Sequence, residues 1–271
     1  MGKPLVSPLR YPGSKRRLGD YILNMLELND LRPALYVEPF AGGASVALRM
    51  LQLPSVERVV LMDLDPWIAS FWQTLFYDTD WLVEQVQTVE VTVESWRQFK
   101  NTESATVREQ ALTALFLNRT SYSGILAGQV GPIGGKRQRS AYDIACRFPR
   151  ETLIRRIQQI AAYRDKVQGV WACSWDVGAA RLLEAEPRST FWYCDPPYYG
   201  QRELYRHEFG DADHARLRDF LVALKDPWLL SYDTAPAIRE LYAGAQMREV
   251  EWRYSSTRSQ GRELLISNLV L

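Results

Sequence analysis

The sequence predicts an α/β protein whose sheet is interrupted by an inserted, mostly helical subdomain. Two observations carry that expectation, and a third makes it feasible. Three short apolar runs, residues 35–37, 58–62 and 191–194, each stop at an acidic residue followed by a proline- or glycine-bearing turn, as strands do where loops leave a sheet. Helical periodicity follows the first two, giving a strand-then-helix rhythm. Between about residues 70 and 166 that rhythm lapses while helical spacing persists, so 1–69 and 167–271 are expected to build the sheet and 70–166 the insert. At 271 residues and 46% hydrophobic, the chain can bury one large core that carries such an insert.

Charge and cysteine usage narrow the class. The formal net charge is +1, so any nucleic-acid surface must come from local clustering. Cys146, Cys173 and Cys194 are far apart and form no C-x-x-C pair, which reads as reduced thiols and not a disulfide framework. With His207 and His214 the only histidines, no metal site is expected. The N-terminal residues lack an apolar signal region and no run approaches a membrane span. A soluble, cytoplasmic protein is the expectation.

In LRYPGSKRRLGDYIL, residues 9–23, a turn at 12–14 precedes a helix carried by Leu18, Tyr21, Ile22 and Leu26. Tyr11 and Lys15 flank the turn, where one can pack on a ligand and the other neutralise a carboxylate; a solvated basic helix start is the competing reading. Strand 35–37 leads into the loop Glu38-Pro39-Phe40-Ala41-Gly42-Gly43 and a helix at 44–51. A glycine turn there lets a ligand approach the backbone closely, which makes Glu38, Phe40 and Gly42 candidate ligand residues. The dinucleotide fingerprint G-x-G-x-x-G is absent, and an acid at this point suits a cation better than a phosphate. Strand 58–62 ends at Asp63, placed to bind a ribose hydroxyl pair. Asp65, directly before proline, is assigned as N-cap of a helix at 67–76. A glycine loop and a ribose acid without phosphate chemistry point to a nucleoside cofactor.

Helices are expected within the insert at 81–87, 93–99 and 107–118. They are followed by LNRTSYSG and a glycine-rich loop at 128–135. Lys136, Arg137, Arg139, Arg147, Arg150, Arg155 and Arg156 then stand against only Asp143 and Glu151. A flexible loop running into a basic stretch suits nucleic-acid phosphates; for Arg155, Arg156 and Arg164 a solvated helix face competes equally.

Beyond the insert, strand 169–174 ends near Asp176, read either as a ligand acceptor or as the N-cap of a helix at 179–184. The run at 191–194 delivers Asp195-Pro196-Pro197-Tyr198 to the carboxyl end of its strand. Neither proline donates an N–H, so the strand stops and both carbonyls remain acceptors. A planar amine can be held by those acceptors and the Asp195 carboxylate, its ring against Tyr198. A surface turn is the alternative. Tyr205 and Arg206 are candidate lid residues. Asp211 or Asp213 is expected to cap a helix from about 212, with His214 in its first turn and no catalytic need for either histidine. A strand at 227–233, a short helix at 235–242 and a hairpin through 252–256 and 263–269 complete the chain. The polar, basic segment 253–262 lies between the last two strands.

Taken together, YPGSK, VEPFAGG, MDLDP, CDPPY and the closing ELLISN resemble, in motif order, the Dam-type (D12 class) N6-adenine DNA methyltransferases. The resemblance implies a Rossmann-like, S-adenosylmethionine-dependent methyltransferase sheet with an inserted target-recognition subdomain. It implies S-adenosyl-L-methionine as cofactor, contacted by Tyr11, Lys15, Asp63 and Asp195, with Asp176 near its adenine and Glu38, Phe40 and Gly42 completing the set. Asp195, Pro196, Pro197 and Tyr198 become the catalytic residues, acting on an adenine flipped from double-stranded DNA. Ser123, Lys136, Arg137, Arg139 and Arg147 become DNA contacts. The expected protein is monomeric and nucleoid-associated. In the family the triplet after Asn-Arg-Thr is usually Phe-Asn-Gly; here Tyr122-Ser123-Gly124 replaces it, and residues 128–135 replace a hairpin. The GATC target therefore does not transfer. Adenine in RNA and DNA binding without catalysis are the alternatives. Cytosine-N4 chemistry is disfavoured because it usually goes with Ser in place of Asp195.

Overall fold

The computed structural model describes residues 3–10, 15–126, 128, 130–184, 189–200, 206, 209–253 and 260–271. Seven strands form one sheet: β1 (Leu35–Glu38), β2 (Arg58–Asp63), β3 (Val167–Ala172), β4 (Thr190–Cys194), β5 (Trp228–Tyr232), β6 (Gln246–Arg253) and β7 (Gln260–Ser267). Their order is β3-β2-β1-β4-β5-β7-β6. The first five are parallel, and β7 runs antiparallel between β5 and β6. β1, β4 and β5 are buried at every position, so they read in sequence as unbroken apolar runs and not as alternations. The chain winds outward from β1 through β2 and β3, then returns to place β4 on its other side. In open α/β sheets ligands bind in the crevice outside the carboxyl ends at such a reversal. Glu38 ends β1, and Asp195 follows β4.

One face of the sheet is covered by α1 (Arg16–Leu28), α2 (Ala47–Met50) and α3 (Pro66–Tyr77). The other is covered by α8 (Trp175–Leu183), α9 (Asp211–Ala223) and α10 (Pro236–Leu241). Asp65 accepts a hydrogen bond from Trp67 N at 2.9 Å, and Pro66 opens α3, the arrangement anticipated from Asp-Pro. Between α3 and β3 the chain forms α4 (Thr79–Thr88), α5 (Val93–Asn101), α6 (Val107–Thr120) and α7 (Arg150–Ala161). A capping box, Thr106 with Glu109, starts α6. Leu82, Leu115, Phe116 and Ile157 of these helices belong to one buried cluster with Phe191 and Tyr193 of the sheet.

Several boundaries differ from expectation. The helix after the glycine loop begins at Ala47, because Ala44 has φ 48° and cannot continue a right-handed turn. α8 starts at Trp175 behind Ser174, so Asp176 lies inside its first turn and is not the cap. Gly210 is the N-cap of α9, while Asp213 reaches back to accept Gly210 N at 3.0 Å. β6 begins at Gln246, well before the expected 252. Among the described residues, no helix is long and apolar enough to cross a membrane.

Candidate active site

Four carboxylates and one ammonium meet near the carboxyl ends of the parallel strands, Glu263 joining them because β7 runs antiparallel. Glu38 is 3% exposed; Tyr36 Oη donates to its Oε2 at 2.6 Å and Ala47 N at 2.8 Å. Burial pushes its carboxyl up to about 8 against those two donors, and Asp195 and Asp63 add to the rise. Asp63 accepts Gly42 N on Oδ2 at 2.8 Å and Asp65 N on Oδ1 at 2.9 Å, tying the glycine loop to the end of β2. Burial raises it to about 7 despite these donors. Each Asp63 oxygen keeps a second lone pair for a further hydroxyl. Gly42 has φ 44°, which lets its N–H face Asp63 while its carbonyl accepts Trp72 Nε1 at 2.9 Å.

Lys15 lies at the start of α1, with 9% exposure. Its Nζ is 2.6 Å from Glu263 Oε1 and 3.5 Å from Asp195 Oδ1, and it donates to Tyr198 Oη. Tyr198 Oη in turn donates to Glu263 Oε1 at 3.2 Å. On the other side of Asp195, Ser231 Oγ donates to Oδ1 at 2.8 Å and pairs with Tyr193 Oη at 2.9 Å. Burial holds the Asp195 carboxyl above its ordinary range; Lys15 opposes this and Glu263 reinforces it. Behind Tyr198, Tyr232 packs at 6.2 Å between ring centroids, and His214 Nδ1 meets Tyr232 Oη at 2.6 Å. Glu263 and Ser231 had no assigned role in the sequence reading. An acid opening the apolar run of ELLIS was the available signal for the first; nothing local distinguished the second.

The remaining candidates separate. Tyr11 lies outside the described residues, as do Tyr205, His207 and most of the polar segment 253–262. Phe40 meets the Phe209 ring edge-on at 5.8 Å. Asp176 follows β3, two strands from β1; it hydrogen-bonds Ser174 and lies 3.6 Å from Arg216 Nη2. Those partners hold its carboxyl below the ordinary range, the Ser174 bond most of all. Arg206 is anchored at the start of α3: Nη1 is 2.8 Å from Asp65 Oδ1, and the guanidinium lies 3.8 Å from the Trp67 ring centroid.

Asn118 of α6 ties the Tyr122–Gly124 turn to Arg10. It accepts Arg10 N at 2.6 Å and donates to the carbonyls of Arg10 and Gly124 at 2.7 and 2.9 Å. Gly124 has φ 75°, and a Cβ there would lie 2.8 Å from Arg10 O, so only glycine fits. The next residue after Asn118, Arg119, is 6% exposed, and its Nε has no hydrogen-bond partner among the described residues. Burial, then the charges of Arg156, Arg10 and Arg147, push it down to about 9. Four guanidinium groups thus gather beside the Tyr122–Gly124 turn, with Ser123 exposed at φ 56° and Tyr122 69% exposed. Arg147, a predicted contact, joins this group. Lys136, Arg137 and Arg139 are exposed on a loop that is pinned and not open: Gln138 Nε2 donates to Ile133 and Gly135 carbonyls at 2.7 Å, and Ile144 N donates to its Oε1 at 2.7 Å. Arg150 is used structurally, closing α4 through the carbonyls of Val86 and Gln87 at 2.6 and 3.1 Å.

A parallel sheet with one antiparallel strand inserted near its far edge, headed by an acid-rich crevice, defines an S-adenosylmethionine-dependent methyltransferase fold. Residues 11–256 match the D12 class N6 adenine-specific DNA methyltransferases, and the chain belongs to that family. It is 22% identical over 239 residues to the type II methyltransferase M.MjaIII of Methanocaldococcus jannaschii, covering 78% of each protein. The chain is therefore an enzyme of the DNA-methylating kind.

Proposed function

We propose that this protein transfers the methyl group of S-adenosyl-L-methionine to the exocyclic amine of adenine in double-stranded DNA, at a specific sequence. The observation that carries the reading is Asp195, whose side chain keeps 25% exposure at the carboxyl end of β4, with Tyr198 beside it and three further acids around. The residues present fit the cofactor. Its sulfonium and ammonium charges suit a crevice where Glu38, Asp63, Asp195 and Glu263 outnumber Lys15. Asp63 would take the ribose, and Asp176 would accept from the base. When bound, the cofactor supplies a methyl group already activated by positive charge. Asp195 and the carbonyl of Pro196 accept the two N–H groups of the amine and direct its lone pair. Pro197 keeps the turn extended, and Tyr198 stacks on the base. Alignment and electrostatics supply most of the rate.

A base stacked in a duplex cannot reach an enclosed crevice, so it must rotate out. Tyr122, 69% exposed beside the left-handed Ser123, is the candidate wedge for the emptied stack. The arginines around Arg119 supply phosphate contacts, and Lys136, Arg137 and Arg139 extend them. The test is incorporation of labelled methyl into duplex DNA, followed by nucleoside analysis. N6-methyladenine supports the reading; label confined to RNA or to cytosine overturns it.

A further prediction follows from the arginine group. Replacing Arg147 and Arg156 by Gln is expected to weaken binding to every duplex by a similar factor. The salt dependence should flatten by about 0.9 log unit per lost phosphate contact, with cofactor affinity unchanged. A salt titration on cognate and scrambled duplexes checks this. If either arginine reads a base edge, the loss will instead be about 1–3 kcal/mol on the cognate site alone.

A further inference from the structure

We infer that Glu263 is a positioning residue: it holds the Lys15 ammonium away from Asp195 and so keeps the Asp195 carboxylate available to the substrate amine. The inference rests on the methyl-transfer reading above. Glu263 is 1% exposed, opens the buried stretch of β7, and lies in register with Val250 of β6. Because β7 is antiparallel to β5, its early residues lie at the carboxyl end of the parallel strands, where Asp195 emerges. Among the described residues two carboxylates lie within 4 Å of Lys15 Nζ, and Glu263 is the nearer, at 2.6 Å against 3.5 Å. An ammonium–carboxylate contact shortens when it dominates; at 3.5 Å the Lys15–Asp195 contact is the longer and weaker of the two.

The consequence is a division of labour. Lys15 supplies positive charge to the crevice while its short contact goes to Glu263, leaving Asp195 room to accept an amine N–H. Glu263 Oε1 also accepts the Tyr198 hydroxyl at 3.2 Å, so the same oxygen fixes the aromatic platform. Removing the Glu263 charge frees Lys15 to close on Asp195, the next acid in reach. That would fill an acceptor position and favour the ionised form of Asp195.

The experiment compares Glu263→Gln, Glu263→Asp and Lys15→Met with the wild type. It uses kcat at saturating cofactor across pH, cofactor affinity by calorimetry, and carboxyl-carbon NMR titration of Asp195 in the cofactor-free protein. The Asp195 resonance is assigned by its loss in Asp195→Asn. Glu263→Gln is expected to lose at least tenfold in kcat and to shift the Asp195 titration to lower pH. Glu263→Asp, which keeps the charge, should leave that titration close to wild type. Lys15→Met should move it to higher pH, an arm that still decides the matter if Glu263→Gln does not fold. Unchanged Asp195 titration in both Glu263→Gln and Lys15→Met overturns the inference, as does a Glu263→Gln defect confined to cofactor affinity. A wild-type protein that transfers no methyl to DNA would instead overturn the functional reading, while the NMR arm would still report on Glu263 and Lys15.

Discussion

Asp195→Asn is expected to lower the single-turnover rate of methyl transfer by about 10²- to 10³-fold or more, the scale of removing one directed polar contact from a transition state. The substitution keeps the volume and one carbonyl oxygen. Ser231 Oγ, now 2.8 Å from Asp195 Oδ1, therefore keeps a partner, and the fold should be retained. What changes is the second position, where an NH₂ donor would meet an amine N–H head-on. Duplex binding should stay near wild type, because the arginine group of Arg10, Arg119, Arg147 and Arg156 does not include Asp195. The measurement is labelled-methyl transfer with enzyme in excess, beside a thermal melt. A rate within tenfold of wild type would remove Asp195 from the chemistry.

How far this site could be read from the chain depends on how local each part is. The place of Asp195 at the end of a buried strand was legible because an apolar run, two prolines and an aromatic follow one another without interruption. Asp65 was equally legible as a cap, since Asp-Pro before an apolar helix has one common structural meaning. Glu263 was not, because its role depends on β7 entering the sheet between β5 and β6, a long-range pairing with no marker in the sequence. The same closing motif is used twice: Asn268 accepts Trp228 N at 3.0 Å and donates to Asp226 O at 3.0 Å, fixing the start of β5. The basic stretch after residue 135 was visible as composition, but its residues diverge in space. Arg150 turns to helix carbonyls, while Arg147 and Arg156 join Arg10 and Arg119 from remote positions. Sequence clustering located a charged segment; only packing shows which charges converge.

Cofactor affinity is expected to tighten as pH rises from about 5.5 to about 8, by up to about tenfold per pH unit for each proton released. Glu38 is the group that motivates this, and the proposed cofactor reading underlies it. Its carboxyl is raised to about 8 by burial, with Tyr36 Oη and Ala47 N opposing and Asp195 and Asp63 reinforcing the rise. Asp63 is raised to about 7. In the empty protein both groups therefore hold protons that the unfolded chain has already released. Their contribution to stability is full below about pH 4 and is lost as pH climbs through about 7 and 8. A bound cation reverses the preference, because it favours the carboxylate over the acid. Binding then expels protons, and the gain levels off once both groups are ionised without it. Glu38→Gln should remove part of the slope and make the empty protein less sensitive to pH between 5 and 8. The cofactor's own amine also titrates near the top of this range, so the difference between wild type and Glu38→Gln is the informative quantity. Calorimetry in two buffers of unlike ionisation heat counts the protons directly. Equal proton release by wild type and Glu38→Gln at about pH 6.5 would show that Glu38 gives up no proton on binding and would overturn the prediction.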